Sequence, residues 1–212
     1  MSGTSSHQHR HFLPALGEHR PVAFYDALGL VAGARRVYAA VADLADVGAG
    51  ATVVDVGCGS GALLRRVGRG RPDLHLCGVD PDERMLRAAR RTAARSRDRS
   101  VREARFERGY AQQIPAGDGT VDRVLASLMF HHLDPGGRTA MLAEVRRALR
   151  PGGALVLADL DGGGPHGRRS PMHAFGPGDL PALLAGAGFA VRTQRRVRTL
   201  FGGVAALRAE PA

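Results

Sequence analysis

The fold is decided by the stretch Val53-Val54-Asp55-Val56-Gly57-Cys58-Gly59-Ser60-Gly61-Ala62. Its apolar, β-branched start predicts a strand, and the glycines that follow predict a tight turn into a helix. Glycine in such a turn permits a positive φ and lets a ligand approach the backbone with no Cβ in the way. The N–H groups at the start of the next helix suit a carboxylate or a phosphate. The stretch therefore predicts a strand–loop–helix unit able to hold an anionic ligand.

The spacing alone leaves the ligand open. Gly57-x-Gly59-x-x-Ala62 also satisfies the dinucleotide fingerprint, and a tight turn that binds nothing is a third interpretation. Asp55 favours S-adenosylmethionine (SAM), because a carboxylate inside an apolar strand is costly unless paired and SAM carries an ammonium group. A pyrophosphate offers only like charge. Asp80, at the end of a second apolar run, can accept from ribose hydroxyls of either cofactor or cap the next helix.

Beyond this stretch, apolar runs alternate with segments of helical periodicity. The predicted strands are 52–56, 74–79, 104–108, 121–127, 154–160, 190–197 and 204–209, and the predicted helices are 62–68, 81–95, 138–149 and 179–187. Strands separated by helices of this length predict βαβ units. We expect an α/β fold with a doubly wound, mostly parallel seven-stranded sheet, helices on both faces and an antiparallel C-terminal edge hairpin.

The domain organisation is simple. We expect a flexible tail over residues 1–20 and a single domain over 21–212, with an N-terminal helical cap at 21–47 and a cofactor-binding core at 50–160. His7, His9 and His11 lie in the tail and could hold a metal ion. Alternating histidines on a flexible segment more often bind nothing specific, so no metal is predicted.

Composition limits the partners. The chain has 212 residues and a formal net charge of +10, and its 30 basic side chains are all Arg. The absence of Lys indicates a codon bias more than a surface built for phosphates, so a nucleic-acid partner is an alternative and not the first expectation. The many arginines of 84–108 are read as a solvated face, with an RNA-binding patch as the alternative. Two cysteines, no signal-like segment and no membrane-length apolar run predict a cytoplasmic protein without membrane association.

Five motifs in order resemble the class I SAM-dependent methyltransferases, in particular the small-molecule branch that includes the ubiquinone/menaquinone C-methyltransferases. They are residues 55–61, 78–80 followed by Met85, 114–122, 127–133 and 149–153. The resemblance spans about residues 50–160. It departs from the family's usual pattern at Gly109-Tyr110-Ala111, where the family has Gly-Asp-Ala and its Asp hydrogen-bonds the adenine.

The resemblance implies which residues hold SAM. Carried onto this sequence, they are Asp55, Gly57, Gly59, Asp80, Pro81, Ala111, Gln112 and Ser127. Tyr25 resembles an N-terminal tyrosine that covers the cofactor in some relatives, with core packing as its alternative role. At the departure, either Tyr110 flanks the adenine or Gln112 supplies the missing acceptor.

Methyl transfer is an in-line displacement in which positioning supplies most of the advantage. A base is needed only if the acceptor arrives protonated, and His131 and His132, just beyond the fourth predicted strand, are the catalytic candidates. Their alternative role is structural. The prediction is transfer of a methyl group to an O, N or C atom of a small metabolite. The alternatives are a non-catalytic SAM-fold binding protein, a tRNA or RNA methyltransferase, and an NAD-dependent oxidoreductase, which leaves Asp55 unexplained.

Overall fold

The computed structural model describes residues 33–161, 175–176, 178–200 and 202–212. In chain order its elements are α1 (Ala34–Ala45), β1 (Thr52–Val56), α2 (Ala62–Val67), β2 (His75–Asp80), α3 (Glu83–Ala93), α4 (Arg99–Arg102), β3 (Arg105–Arg108), β4 (Val121–Ser127), a 3-10 turn (Phe130–His132), α5 (Pro135–Ala148), β5 (Leu149–Leu160), α6 (Asp179–Gly186), β6 (Phe189–Thr199) and β7 (Gly202–Pro211). The predicted tail, Tyr25 and the first part of the predicted cap lie outside the described residues.

The strands form one seven-stranded sheet in the order β3-β2-β1-β4-β5-β7-β6. Strands β1 to β5 pair in parallel, while β7 is antiparallel to both β5 and β6. This confirms the predicted fold class. The chain runs outward from β1 through β2 to β3 and then returns to place β4 on the other side of β1. Such a reversal opens a crevice at the carboxyl ends of β1 and β4, where open α/β sheets bind their ligands.

Helices cover both faces of the sheet, as the alternation of side chains along β1 shows. Val54 and Val124 belong to a buried cluster that includes Val145 of α5. Val53 belongs to a second cluster, on the opposite face, that includes Leu86 of α3. Because successive strand residues point to opposite faces, a strand buried on both sides becomes a continuous apolar run, which is the pattern that predicted it.

The predicted helices 81–95 and 138–149 are observed over Glu83–Ala93 and Pro135–Ala148. Helix α5 begins at Pro135 and not at Arg138, because the Asp134 carboxylate accepts the N–H of Gly137 at 2.6 Å and proline occupies the first turn. Both are standard features of a helix start. The four-residue helix α4 was not predicted, since one turn is too short to show periodicity.

A buried arginine fixes α1 on the sheet. Arg123 of β4 is 8% exposed, and its Nε donates to the Ala45 carbonyl at 2.6 Å while Nη2 donates to the Asp46 carbonyl at 3.1 Å. These carbonyls end α1 and have no partner within the helix, so the guanidinium satisfies them. No helix among the described residues is long and apolar enough to cross a membrane.

Candidate functional site

The glycine-rich loop after β1 is tied to the end of β2. The N–H groups of Gly57 and Cys58 both donate to the Val79 carbonyl, at 2.8 and 3.0 Å. Gly57 and Gly59 have φ values of 69° and 52°, which L side chains rarely adopt. A Cβ on Gly57 would stand 2.8 Å from the Cβ and Cγ of Met129, whereas a Cβ on Gly59 would meet nothing within 4 Å. One side of the loop is therefore closed by protein, and the backbone at Gly59 faces open space.

Asp80 braces this loop from the end of β2. Its Oδ2 accepts the N–H of Gly59 and its Oδ1 accepts the N–H of Asp82, both at 2.9 Å. Burial raises the pKa of Asp80, and the two N–H bonds oppose that rise. The cap of α3 is Asp82, whose carboxylate accepts the N–H of Arg84 at 2.7 Å, so the alternative role of Asp80 as that cap is wrong. Each Asp80 oxygen keeps a lone pair for a further donor.

Asp55 is the most unusual group of the site. It is 2% exposed, and its carboxyl group has no hydrogen bond to any residue in the described part of the chain. Burial, followed by the charge of Asp80, raises its pKa well above the ordinary value. Both effects favour the neutral form of the carboxyl group, and a cation beside it would favour the charged form. Asp55 is thus a buried acidic group that forms no hydrogen bond with the part of the chain that the structure describes.

Strand register places the polar groups on one face of the sheet. Asp55 pairs with Gly78 of β2 and with Leu125 of β4. Asp80 and Ser127 lie two residues further along those strands, so their side chains project to the same side as Asp55, at the carboxyl edge. The Ser127 hydroxyl is buried and has no hydrogen-bond partner among the described residues.

The segment predicted to lie near the adenine adjoins this edge. The N–H of Gly109 donates to the Asp80 carbonyl at 3.2 Å, which brings the following residues beside the end of β2. Ala111 is buried, Pro81 and Gln112 are half-buried, and Tyr110 is 45% exposed. The Gln112 amide nitrogen lies 3.2 Å from where a Cβ on Gly137 would stand. The structure therefore brings every described residue of the predicted cofactor set to the same end of the sheet.

The two candidate catalytic histidines have different environments. His131 is 6% exposed, and its Nδ1 lies 2.6 Å from Oδ1 of Asp159, while Oδ2 accepts the backbone N–H of His131 at 2.9 Å. Its Nε2 is buried and has no partner among the described residues. The ring of His132 is half-buried and 4.0 Å from that of His131. Burial, followed by the neighbouring His131, lowers the pKa of His132.

Two residues of this region were missed at the level of sequence. Asp159 could have been predicted from the sequence, because it interrupts the apolar strand β5 as Asp55 interrupts β1. Met129 covers Gly57 through a contact between distant segments, which no local pattern reveals. In the described part of the chain, no group of three His, Cys, Asp or Glu side chains has an arrangement that could hold a metal ion. The histidines of the tail lie outside that part.

Comparison with known proteins agrees with this geometry. Residues 53–153 match a family described as a methyltransferase domain. The chain is 33% identical over 190 residues to malonyl-[acyl-carrier protein] O-methyltransferase of Geobacter sulfurreducens, covering 81% of this chain and 67% of that one. It is 31% identical over 142 residues to an uncharacterised 37.1 kDa protein in a transposon of Streptomyces fradiae, covering 66% of this chain but 39% of that protein. The chain thus spans about two fifths of the transposon protein.

The fold also has a close structural counterpart. A SAM-dependent methyltransferase from Aquifex aeolicus superposes with a TM-score of 0.69 over 90% of this chain and 98% of the other, at 19% identity. At that identity the likeness concerns the fold.

Proposed function

This chain belongs to the class I SAM-dependent methyltransferases, and we propose that it moves a methyl group from SAM to an O, N or C atom of a small metabolite. The observation that carries the proposal is the combination of a buried Asp55, which has no hydrogen bond to any described residue, with the open backbone at Gly59 and with Asp80 next to both. An ammonium group fits beside Asp55, a ligand can lie close to the backbone at Gly59, and ribose hydroxyls fit beside Asp80. These residues therefore fit SAM.

The proposed roles of the individual residues follow from the charges of Asp55 and Asp80. Asp55, with its raised pKa, would bind the ammonium end of SAM and Asp80 the ribose hydroxyls, while Gly57 and Gly59 let the ligand approach the loop. The buried Ser127 hydroxyl would gain the hydrogen bond that it lacks. Bound SAM supplies an electrophilic methyl group. The protein supplies orientation, which is the main requirement of an in-line displacement.

The remaining cofactor residues flank this core. We propose that the adenine is bordered by Pro81, which follows β2, and by Ala111 and Gln112, which follow β3. Tyr110 is exposed, so it is free to lie against the adenine from the solvent side. The proposed contact of Tyr25 concerns a residue outside the described ranges. His131 and His132 are proposed to face the acceptor, because Met129, two residues before His131, already reaches Gly57.

The acceptor class rests on two supports. The five motifs resemble the small-molecule branch that includes the quinone methyltransferases. The Geobacter sulfurreducens relative is named for O-methylation of a malonyl group on a carrier protein. The test is a methyl-transfer assay with a panel of hydroquinones, phenols, carboxylic acids, amines and malonyl thioesters, measuring S-adenosylhomocysteine. Turnover of one member supports the proposal. SAM binding without turnover of any member favours the non-catalytic alternative.

RNA is a second candidate substrate, favoured by one surface feature. Arg87 and Arg91 are exposed four residues apart on α3, Arg95 is exposed in the turn after it, and no ion pair with a described residue neutralises them. Like charges at this spacing destabilise a helix unless an anion lies nearby. An RNA substrate predicts tRNA binding that weakens steeply with salt and is lost in Arg87→Gln/Arg91→Gln. Binding that is absent at low salt contradicts this candidate.

A further inference from the structure

The orientation of the buried His131 points to the chemistry of the acceptor, an inference that rests on the proposed function. Asp159 is 0% exposed and its Oδ1 is 2.6 Å from Nδ1 of His131. A carboxylate can only accept hydrogen bonds, so Nδ1 carries the proton. In the neutral ring the lone pair then lies on Nε2, the atom that has no partner within the described chain.

Asp159 is held as firmly as the ring that it orients. Its Oδ2 accepts the backbone N–H of His131 at 2.9 Å, and its Oδ1 also accepts the backbone N–H of Leu160 at 2.7 Å. On the other side, Arg138 donates to the carbonyls of Phe130 and His131 at 3.4 and 3.5 Å. These contacts hold the 3-10 turn so that Nδ1, and not Nε2, lies beside the Asp159 carboxylate.

We propose that His131 is the general base of this enzyme, that Asp159 is its positioning residue, and that the acceptor is a protonated nucleophile of the hydroxyl type. The acceptor oxygen gives its proton to Nε2 and keeps the electron pair of the O–H bond. That pair forms the bond to the methyl carbon, whose bond to sulfur breaks with its electrons remaining on sulfur. The imidazolium that results faces the Asp159 carboxylate, which stabilises it.

Burial supports this assignment. Nε2 is buried and has no hydrogen-bond partner among the described residues, so a hydroxyl group brought beside it would satisfy a polar atom that water does not. An acceptor that arrives already ionised, such as a carboxylate, has no proton to donate there. His132 is less suited to the role, because its ring has no carboxylate partner among the described residues and its pKa is lowered by burial.

The first test needs no acceptor. The nitrogen signals of histidine-labelled protein are recorded at neutral pH with S-adenosylhomocysteine added, and they are assigned with His131→Asn and His132→Asn. The expected result is a proton on Nδ1 of His131 in a short hydrogen bond and an unprotonated Nε2. A proton on Nε2, in either the other tautomer or the doubly protonated ring, overturns the proposal. This result is independent of whether methyl transfer is detected.

The second test uses a hydroxyl acceptor from the assay panel. His131→Asn is expected to lower kcat by about 100-fold or more with SAM affinity unchanged. The control is His75→Asn, which changes an exposed histidine at the start of β2 and should leave kcat within a few-fold of the wild type. The defect of His131→Asn should shrink for phenols acidic enough to be ionised already. An equal defect for ionised and protonated acceptors overturns the role of base while leaving the methyltransferase proposal standing. Loss of SAM binding in the wild type removes the proposed function itself.

Discussion

Substitution of Gly57 and Gly59 distinguishes the side of the loop that packs against protein from the side where we place the cofactor. Gly57→Ala and Gly59→Ala both place a side chain at positive φ, which costs roughly 1–2 kcal/mol of folding free energy. Only at Gly57 does the new Cβ meet protein, 2.8 Å from the Cβ and Cγ of Met129. Overpacking of this kind adds about 1–3 kcal/mol. Gly59→Ala instead directs its methyl group into open space, where we place the cofactor.

The assay compares thermal unfolding and SAM affinity in the two variants. Since about 1 kcal/mol shifts Tm by roughly 2–4 °C in a domain of this size, Gly57→Ala should melt several degrees below Gly59→Ala. Gly59→Ala should bind SAM at least about tenfold more weakly than the wild type, which is about 1.4 kcal/mol of binding free energy. Its small loss of folding stability does not explain a weakening of this size. Equal melting temperatures refute the packing of Met129 on Gly57. Wild-type SAM affinity in Gly59→Ala refutes the assignment of the open side to the cofactor.

Three further predictions concern other parts of the molecule. The pKa of Asp55 is raised in the fold, so folding becomes less favourable as pH rises above the ordinary value of 3.8, by about 1.4 kcal/mol per pH unit until the folded carboxyl ionises. Asp55→Asn should therefore raise Tm near neutral pH but not near pH 3, while weakening SAM binding; a variant less stable at both pH values contradicts this. Arg123→Met should cost about 1.5–3 kcal/mol in urea unfolding, because the end of α1 loses charged hydrogen bonds, with SAM affinity retained. Burial raises the pKa of Cys77 to about 11 and that of Cys58 further, so neither thiol should react with a disulfide reagent at about pH 8 before unfolding; rapid reaction of the native protein contradicts their burial.

The parts of the fold predicted from sequence are those that local pattern determines. The loop after β1 and the acid that ends β2 follow from glycine spacing and from a carboxylate in an apolar run. The antiparallel pair β6 and β7 follows from strand patterns near the C-terminal end. The position of β7 between β5 and β6 needs the completed sheet, since neighbours in a sheet are set by contacts between distant segments.

The parts of the site that sequence did not give depend on such contacts. His131 and Asp159 are separated by 28 residues, and their pairing becomes visible only when β4 and β5 lie side by side. Asp159 could have been suspected, because a charged residue in a buried strand requires a partner. The start of α5 could also have been predicted from Asp134-Pro135, a capping residue followed by proline. The cover that Met129 places on Gly57 had no such signal.

Calorimetric titration shows whether the loop after β1 and Asp80 at the end of β2 hold SAM. The wild type, Asp80→Ala and Asp82→Ala are titrated with SAM, S-adenosylhomocysteine and NAD; Asp82→Ala is the control, because it removes a neighbouring carboxylate that caps α3. We predict micromolar binding of the first two ligands by the wild type and by Asp82→Ala, its loss in Asp80→Ala, and no comparable binding of NAD. Tight binding of NAD, or no binding of SAM by the folded wild type, would show that this loop is not a SAM site.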